Sequence, residues 1–175
     1  MSSNQSAASR IQDSLGDLFK GNFAAGTPHV KFQLTSDTSA LLSMEQVEET
    51  LIVEAGQITL LPSMPRSVIG IMNSRDCVFC VFDLAQLLNL PSKIVAPRKY
   101  QIIVVQTVAE TPIQFGLAVS NLQGITRLAT EQIDSATDGV DQQIAPYLSG
   151  VVQTEETTIP VLGFDRIAQA LETLL

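Results

Sequence analysis

The run PRSVIGIMNSRDCVFCVFDLAQLL, Pro65 to Leu88, decides the fold. VIGIMN (68–73) and CVFCVF (77–82) are short apolar runs of the kind that form strands. Asn73, Ser74 and Asp76 are turn formers, so the two runs read as strands joined by a tight connection that carries Arg75. The pattern then changes: Leu84 to Asn89 reads as a short helix. Asp83 stands where an N-cap belongs, with Gln86 three residues on, as in a capping box.

This unit recurs. Val68-Ile69-Gly70-Ile71-Met72 is matched by Leu148-Ser149-Gly150-Val151-Val152, and Val81 to Leu88 by Val161 to Leu171. Upstream, HVKFQL (29–34) is echoed by YQIIVV (100–105), ALLSMEQV (40–47) by FGLAVSNL (115–122), and Gln57-Ile58 by Gln132-Ile133. The order is the same in both halves, which predicts two copies of one small barrel. Whether strands are exchanged between the copies is left open by the sequence.

The remaining β runs are KYQIIVVQ (99–106), IQFGLAVS (113–120), YLSGVVQ (147–153) and TIPVLGF (158–164), and Arg166 to Leu174 reads as a second helix capped by Asp165. Many short strands separated by turn signals indicate an all-β barrel or sandwich with few helices. Before Pro28 the character differs. Residues 1 to about 10 read as a flexible tail. Ile11, Leu15, Leu18 and Phe19 fall at helical spacing, and Gly21, Gly26 and Pro28 mark a linker. The expected organisation is therefore 1–27 as tail, short amphipathic helix and linker, and 28–175 as the folded unit.

Composition narrows the function. The chain has 175 residues, 45% hydrophobic and 16% charged, with a net charge of −8. That is ample core material, and an acidic balance that repels a nucleic-acid backbone and anionic lipid surfaces alike. No apolar run approaches the roughly 20 residues of a membrane span, and MSSNQSAASR lacks the pattern of a secretory signal. A cytoplasmic protein is expected, with a peripheral place beside a membrane complex left open.

Two Cys and one His exclude a disulfide scaffold and a four-ligand Cys/His zinc site. Cys77 and Cys80 form a C-x-x-C, but inside a strand their Cα atoms lie about 10 Å apart on opposite faces, beyond the ~7 Å a disulfide spans. They read as buried structural cysteines. His29, at the start of a strand, reads as a surface or strand-edge residue. No nucleophile elbow, phosphate loop or dinucleotide fingerprint is present, so no catalytic residue, cofactor or metal is expected. The acidic stretch Glu45, Glu48, Glu49 and Glu54 reads first as a solvated face, and second as a docking surface for basic partners. Arg75 is rare cationic material on a rigid turn. It reads either as a binding anchor, whose planar fork pairs with a carboxylate, or as one half of a local salt bridge with Asp76 or another acid.

The same Pro65–Leu88 stretch resembles the signature of the CheW-like family: a Pro, a hydrophobic pair, a Gly, then N-L-R-G, a strand, and D-L before a helix. The likeness extends over most of residues 29 to 174. It includes a V-x-E at Val47-Glu48-Glu49, Ile58 to Pro62, and Y-L-S-G at Tyr147 to Gly150. The resemblance implies a mainly β fold of two intertwined SH3-like five-stranded barrels, with short helices that include a C-terminal one. It also implies a non-enzymatic adaptor that couples the cytoplasmic tip of a chemoreceptor to the regulatory domain of a CheA-type histidine kinase. Carried over residue by residue, it makes Arg75, Asn73, Gly70, Val47 and Glu49 the expected protein-binding residues. Two departures stand out. N-L-R-G reads Asn73-Ser74-Arg75-Asp76, and a family V-D-x-V reads Val119-Ser120-Asn121-Leu122. They motivate a second reading, a divergent regulator that binds another protein, through its N-terminal helix, without coupling a kinase. That helix could equally serve as a lid on the apolar groove between the barrels. An enzyme ranks last.

Overall fold

A computed structural model describes residues 26–135 and 138–174. Eleven strands, two helices and four 3-10 turns follow in chain order among these residues. The strands are β1 (Thr27–Gln33), β2 (Ser39–Ser43), β3 (Val47–Glu54), β4 (Val68–Ser74), β5 (Cys77–Asp83), β6 (Lys99–Gln106), β7 (Gln114–Val119), β8 (Asn121–Leu128), β9 (Ile133–Asp134), β10 (Leu148–Gln153) and β11 (Thr158–Leu162). Helix α1 (Leu84–Leu87) follows β5, and α2 (Phe164–Leu174) follows β11. The expected tail and helix before residue 26 lie outside the described residues.

The strands form two curled sheets of SH3-like type, ordered β8-β1-β2-β11-β10-β9 and β3-β6-β7-β5-β4. This order settles the exchange question. The β1–β2 hairpin of the first half is completed by β8 to β11 of the second. The β6–β7 hairpin of the second half is completed by β3, β4 and β5 of the first. Each barrel is thus built from both halves of the repeat, stitched by parallel pairings of β11 with β2 and of β5 with β7. One sheet has six strands instead of the expected five because β9 pairs with β10 over two residues, whereas its counterpart in the other half is the single bridge Thr59–Ile71.

The internal likeness holds down to irregularities. β4 and β10 bulge at equivalent places, between Val68 and Gly70 and between Leu148 and Gly150. β3 bulges at Glu48 and β8 at Gln123. The side-chain carbonyl of Gln57 accepts from the Glu54 N–H at 2.9 Å, and that of Gln132 from the Ala129 N–H at 2.8 Å. The same glutamine therefore closes the same turn after β3 and after β8.

The packing explains the continuous apolar runs. Alternate residues of β6 face opposite ways: Ile102 and Val104 fill the interior of one barrel with Val53, Met72, Phe79 and Val81, while Ile103 and Val105 join the layer between the barrels. β2 divides likewise, Leu41 inside the other barrel and Ala40 and Leu42 between. A strand covered on both faces has no solvent side, so the polar alternation disappears. Each fully buried Leu, Ile or Val contributes about 1.5–3 kcal/mol. The layer between the barrels, with Phe32, Phe82, Leu117, Leu162 and Ile167, is the largest of the three apolar clusters and makes the two barrels one body.

Several expectations are corrected. The run 40–47 is not one strand: β2 stops at Ser43, whose Oγ accepts from the Glu45 N–H and opens a 3-10 turn. The acidic stretch is then largely a strand, β3, whose Val47, Glu49, Leu51 and Val53 turn inward while Glu48, Thr50, Ile52 and Glu54 are exposed. β8 is a second strand that sequence reading missed. His29 is buried, its Nδ1 lying 2.8 Å from the Thr27 carbonyl oxygen, because β1 is flanked on both sides by β2 and β8 and has no free edge. Cys77 and Cys80 are free thiols, half-buried rather than buried. Helix α2 begins at Phe164, one turn of backbone being closed by the Ile167 N–H on the Gly163 carbonyl; Asp165 sits inside the first turn instead of capping it. Helix α1 is shorter than expected, and Asn89 (φ 59°) turns the chain away after it.

Candidate functional site

The β4–β5 hairpin closes with Ser74 paired to Cys77 and only Arg75 and Asp76 between them. Both central residues are left-handed, Arg75 at φ 49° and Asp76 at φ 61°. Two such residues make the hairpin turn whose twist matches that of the flanking strands. Asp tolerates this region better than most side chains, so the fold survives without the glycine of the family pattern. Arg75 is thereby held on a stiff tip with its side chain 81% exposed.

Glu49 reaches this tip from β3, at the opposite edge of the curled sheet. Its Oε2 lies 3.2 Å from Arg75 Nη2, and its Oε1 accepts from Ser74 Oγ at 3.1 Å. The Glu49 side chain is only 17% exposed, so the carboxylate is pinned from two sides while the guanidinium keeps donors facing solvent. Two residues expected at the site from separate stretches of sequence are therefore in contact. Asn73 is exposed on the outer face of the same hairpin, opposite Val78. Val47 is half-buried, packed on the layer between the barrels, and positions the start of β3. Gly70 is buried, and its α-carbon lies against the Thr59 carbonyl. It offers no side chain to a partner, and shapes the hairpin by close approach.

The outer face of this hairpin continues into a groove of about 910 Å³ between the barrels. Ile71, Val78 and Cys80 line one wall, the β6–β7 loop with Val108 and Ile113 another, and Ala168 and Leu171 of α2 the far side. Phe115 stacks on Phe164 with ring centroids 6.0 Å apart. Val78, Val108 and Ile113 are 65%, 87% and 59% exposed, an apolar surface of the kind that marks an interface. The charged residues lining the groove are Glu45, Asp165 and Glu172, all acids. Residues 107–112 had no reading in the sequence beyond a loop holding Pro112, and Ile113, read as the first residue of the next strand, lies just outside that strand, since β7 begins at Gln114. The one available signal was the isolated apolar Val108 in that loop.

Asp83 is the buried acid. Its carboxylate accepts from the Gln86 N–H at 3.2 Å, capping α1 as expected, and from Ser92 Oγ. Burial pushes it above the ordinary 3.8, against the pull of these hydrogen bonds. It is a structural group, tying β5, α1 and the loop to β6. Among the described residues no group of three or more His, Cys, Asp or Glu could hold a metal ion, and no helix is long and apolar enough to cross a membrane.

Two exchanged SH3-like barrels with an exposed ion-paired hairpin and an apolar groove define a protein-binding scaffold. Residues 29–172 match the CheW-like domain family model, and the chain belongs to that family, whose members are non-enzymatic scaffold proteins. It is 25% identical over 121 residues to the chemotaxis protein CheW of Thermotoga maritima, an alignment covering 69% of this chain and 76% of that one. The crystal structure of the scaffolding protein TtCheW from Thermoanaerobacter tengcongensis superposes with a TM-score of 0.66 at 20% identity, over 80% of this chain and 90% of the other. That likeness establishes the two-barrel fold. The chain is a chemotaxis-type adaptor of this family, without enzymatic activity.

Proposed function

We propose that this protein couples the cytoplasmic tip of a chemoreceptor to the regulatory domain of a CheA-type histidine kinase, in chemotaxis or surface motility. It would work in the cytoplasm, at membrane-associated receptor arrays. The observation that carries this reading is the Arg75–Glu49–Ser74 cluster, which fixes an exposed guanidinium on a rigid hairpin beside an apolar groove. Apolar contact supplies affinity, and the charged cluster supplies orientation. Arg75 and Asn73 are the proposed contact residues. Glu49 aims Arg75, and Val47 and Gly70 hold the backbone beneath them. Two distinct barrel ends let one chain bind two partners, so heterologous contacts can propagate into rings or arrays.

The test is a titration with the regulatory domain of a CheA-type kinase from the same cell, wild type against Arg75→Ala. Micromolar binding is expected, weakened by at least ~1 kcal/mol in the variant. No binding to any such domain would overturn kinase coupling.

A further inference from the structure

Charge is unevenly placed on this acidic chain. Lys93, Arg98 and Lys99 put three of its ten cationic side chains within seven residues, in the loop between α1 and β6. Val95 stands among them, 80% exposed. Lys99 lies 3.3 Å from Glu54, whereas Lys93 and Arg98 are exposed and have no ion pair among the described residues. The loop is held at both feet. Ser92 Oγ donates to Asp83 and accepts from the Ile94 N–H at 3.0 Å, Ile94 packs on the interior of a barrel, and the Arg98 carbonyl accepts from the Ala55 N–H at 2.9 Å. An apolar tip flanked by two cations is therefore presented at little ordering cost.

The groove between the barrels has the opposite character. Its charged lining residues are Glu45, Asp165 and Glu172, none of them ion-paired among the described residues, and it exposes Val78, Val108 and Ile113. Asp165 and Glu172 are seven residues apart on α2, so they share a face and stand about 10 Å apart along the axis. Lys93 and Arg98, five residues apart, span at most about 18 Å at ~3.3–3.6 Å per residue, which covers the separation of the two acids. Loop and groove sit at opposite ends of β6. The basic loop enters the strand at Lys99, and the groove-lining β6–β7 loop leaves it at Gln106, about 24 Å away at ~3.4 Å per residue. A loop anchored to its own barrel cannot cross that length, so its complement is the groove of a second copy.

We propose that residues 93–98 of one copy dock into the acidic, apolar groove of the next, with Val95 covered by Val78, Val108 and Ile113, and with Lys93 and Arg98 facing Glu45, Asp165 and Glu172. The contact is head-to-tail, so it propagates from copy to copy until it closes. A second copy and any other occupant of the groove exclude each other. The inference goes beyond the adaptor reading and does not depend on it, because self-association is measured on the chain alone.

Sedimentation velocity on the full chain, raised to roughly 1 mM, should show a mass that grows with concentration and falls with added salt. Lys93→Glu/Arg98→Glu reverses the loop, and Glu45→Lys/Glu172→Lys reverses the groove. All four side chains are exposed, so melting temperatures should stay at the wild-type value. Each variant alone should associate at least ~tenfold more weakly than wild type, because it sets like charges against each other. An equimolar mixture of the two should restore association, since every loop then finds a groove of opposite charge. Val95→Ser and Val108→Ser, at side chains 80% and 87% exposed, should each weaken association with every charge unchanged. A wild type that stays monomeric at that concentration overturns the proposal. So does association untouched by either reversal, which would run through another surface, or a mixture no more associated than its components, which would unpair the loop from the groove.

Discussion

Gly70 is where backbone touches backbone. A Cβ placed there would overlap the Thr59 carbonyl oxygen and stand 2.9 Å from both the Thr59 carbonyl carbon and Ile58 Cγ2. The obstacle is main chain, so Gly70→Ala forces the Thr59 segment outward. That segment is tied to β4 by two hydrogen bonds, Thr59 N–H to the Ile71 carbonyl at 2.8 Å and Ile71 N–H to the Thr59 carbonyl at 2.9 Å. Losing both costs about 0.5–1.5 kcal/mol each, and the overpacking adds about 1–3 kcal/mol. The lower entropy of the unfolded alanine chain returns about 0.4–1 kcal/mol. The net loss is roughly 1–5.5 kcal/mol, or a fall in melting temperature of roughly 2–20 °C for a chain of this size. Gly56 is the control: nothing lies within 4 Å of a Cβ there and its φ is not left-handed, so Gly56→Ala should be neutral or slightly stabilising. Thermal and urea unfolding by circular dichroism compare the three proteins. Coincident melting curves for Gly70→Ala and Gly56→Ala would refute the close-approach argument.

Other substitutions test other parts of the structure. Arg75→Ala should lower stability by no more than ~1 kcal/mol, because the ion pair it removes is solvent-exposed on the arginine side and Glu49 keeps Ser74. A large loss in urea unfolding would make Arg75 a structural residue first. Asp76→Gly should stabilise by about 0.5 kcal/mol, since it relieves a left-handed non-glycine residue, and a loss of stability would mean that the Asp76 side chain has a local role. The Asp83 carboxyl is raised above 3.8 by burial, so the folded chain holds that proton more tightly than the unfolded chain. Its contribution is complete below 3.8 and is lost as pH rises through the folded pKa. Relative to Asp83→Asn, which can still cap α1, wild type should therefore lose stability across the interval just above 3.8, and parallel pH–stability curves would contradict this. Gln132→Ala should cost about 0.5–1.5 kcal/mol by freeing the Ala129 N–H, and Gln57→Ala a similar amount at the equivalent turn; unequal losses would break the equivalence of the two turns.

The hairpin, the capped helix after it and the repeat were legible in the sequence because they are local: turn formers between apolar runs, an Asp before a helix, and one order of segments occurring twice. β3 was hidden by composition. Four glutamates between residues 45 and 54 read as a solvated face, yet the inward positions Val47, Glu49, Leu51 and Val53 keep the period of two, with Glu49 admitted because Ser74 and Arg75 satisfy its carboxylate. His29 misled for a related reason: whether the start of a strand is an edge depends on β8, which pairs with it from about a hundred residues away.

By itself the sequence determined the strand-rich class, the twofold repeat, the exclusion of common catalytic and metal chemistries, and the residues that resemble a CheW-like signature. Each of these rests on periodicity, composition or contiguous residues. Only the tertiary structure decided that the halves exchange strands, that Glu49 meets Arg75, and that the β6–β7 loop and α2 wall a groove. Those facts depend on which strands pair across the chain, and pairing is chosen by the joint burial of both faces of strands such as β2 and β6, a property no single segment carries.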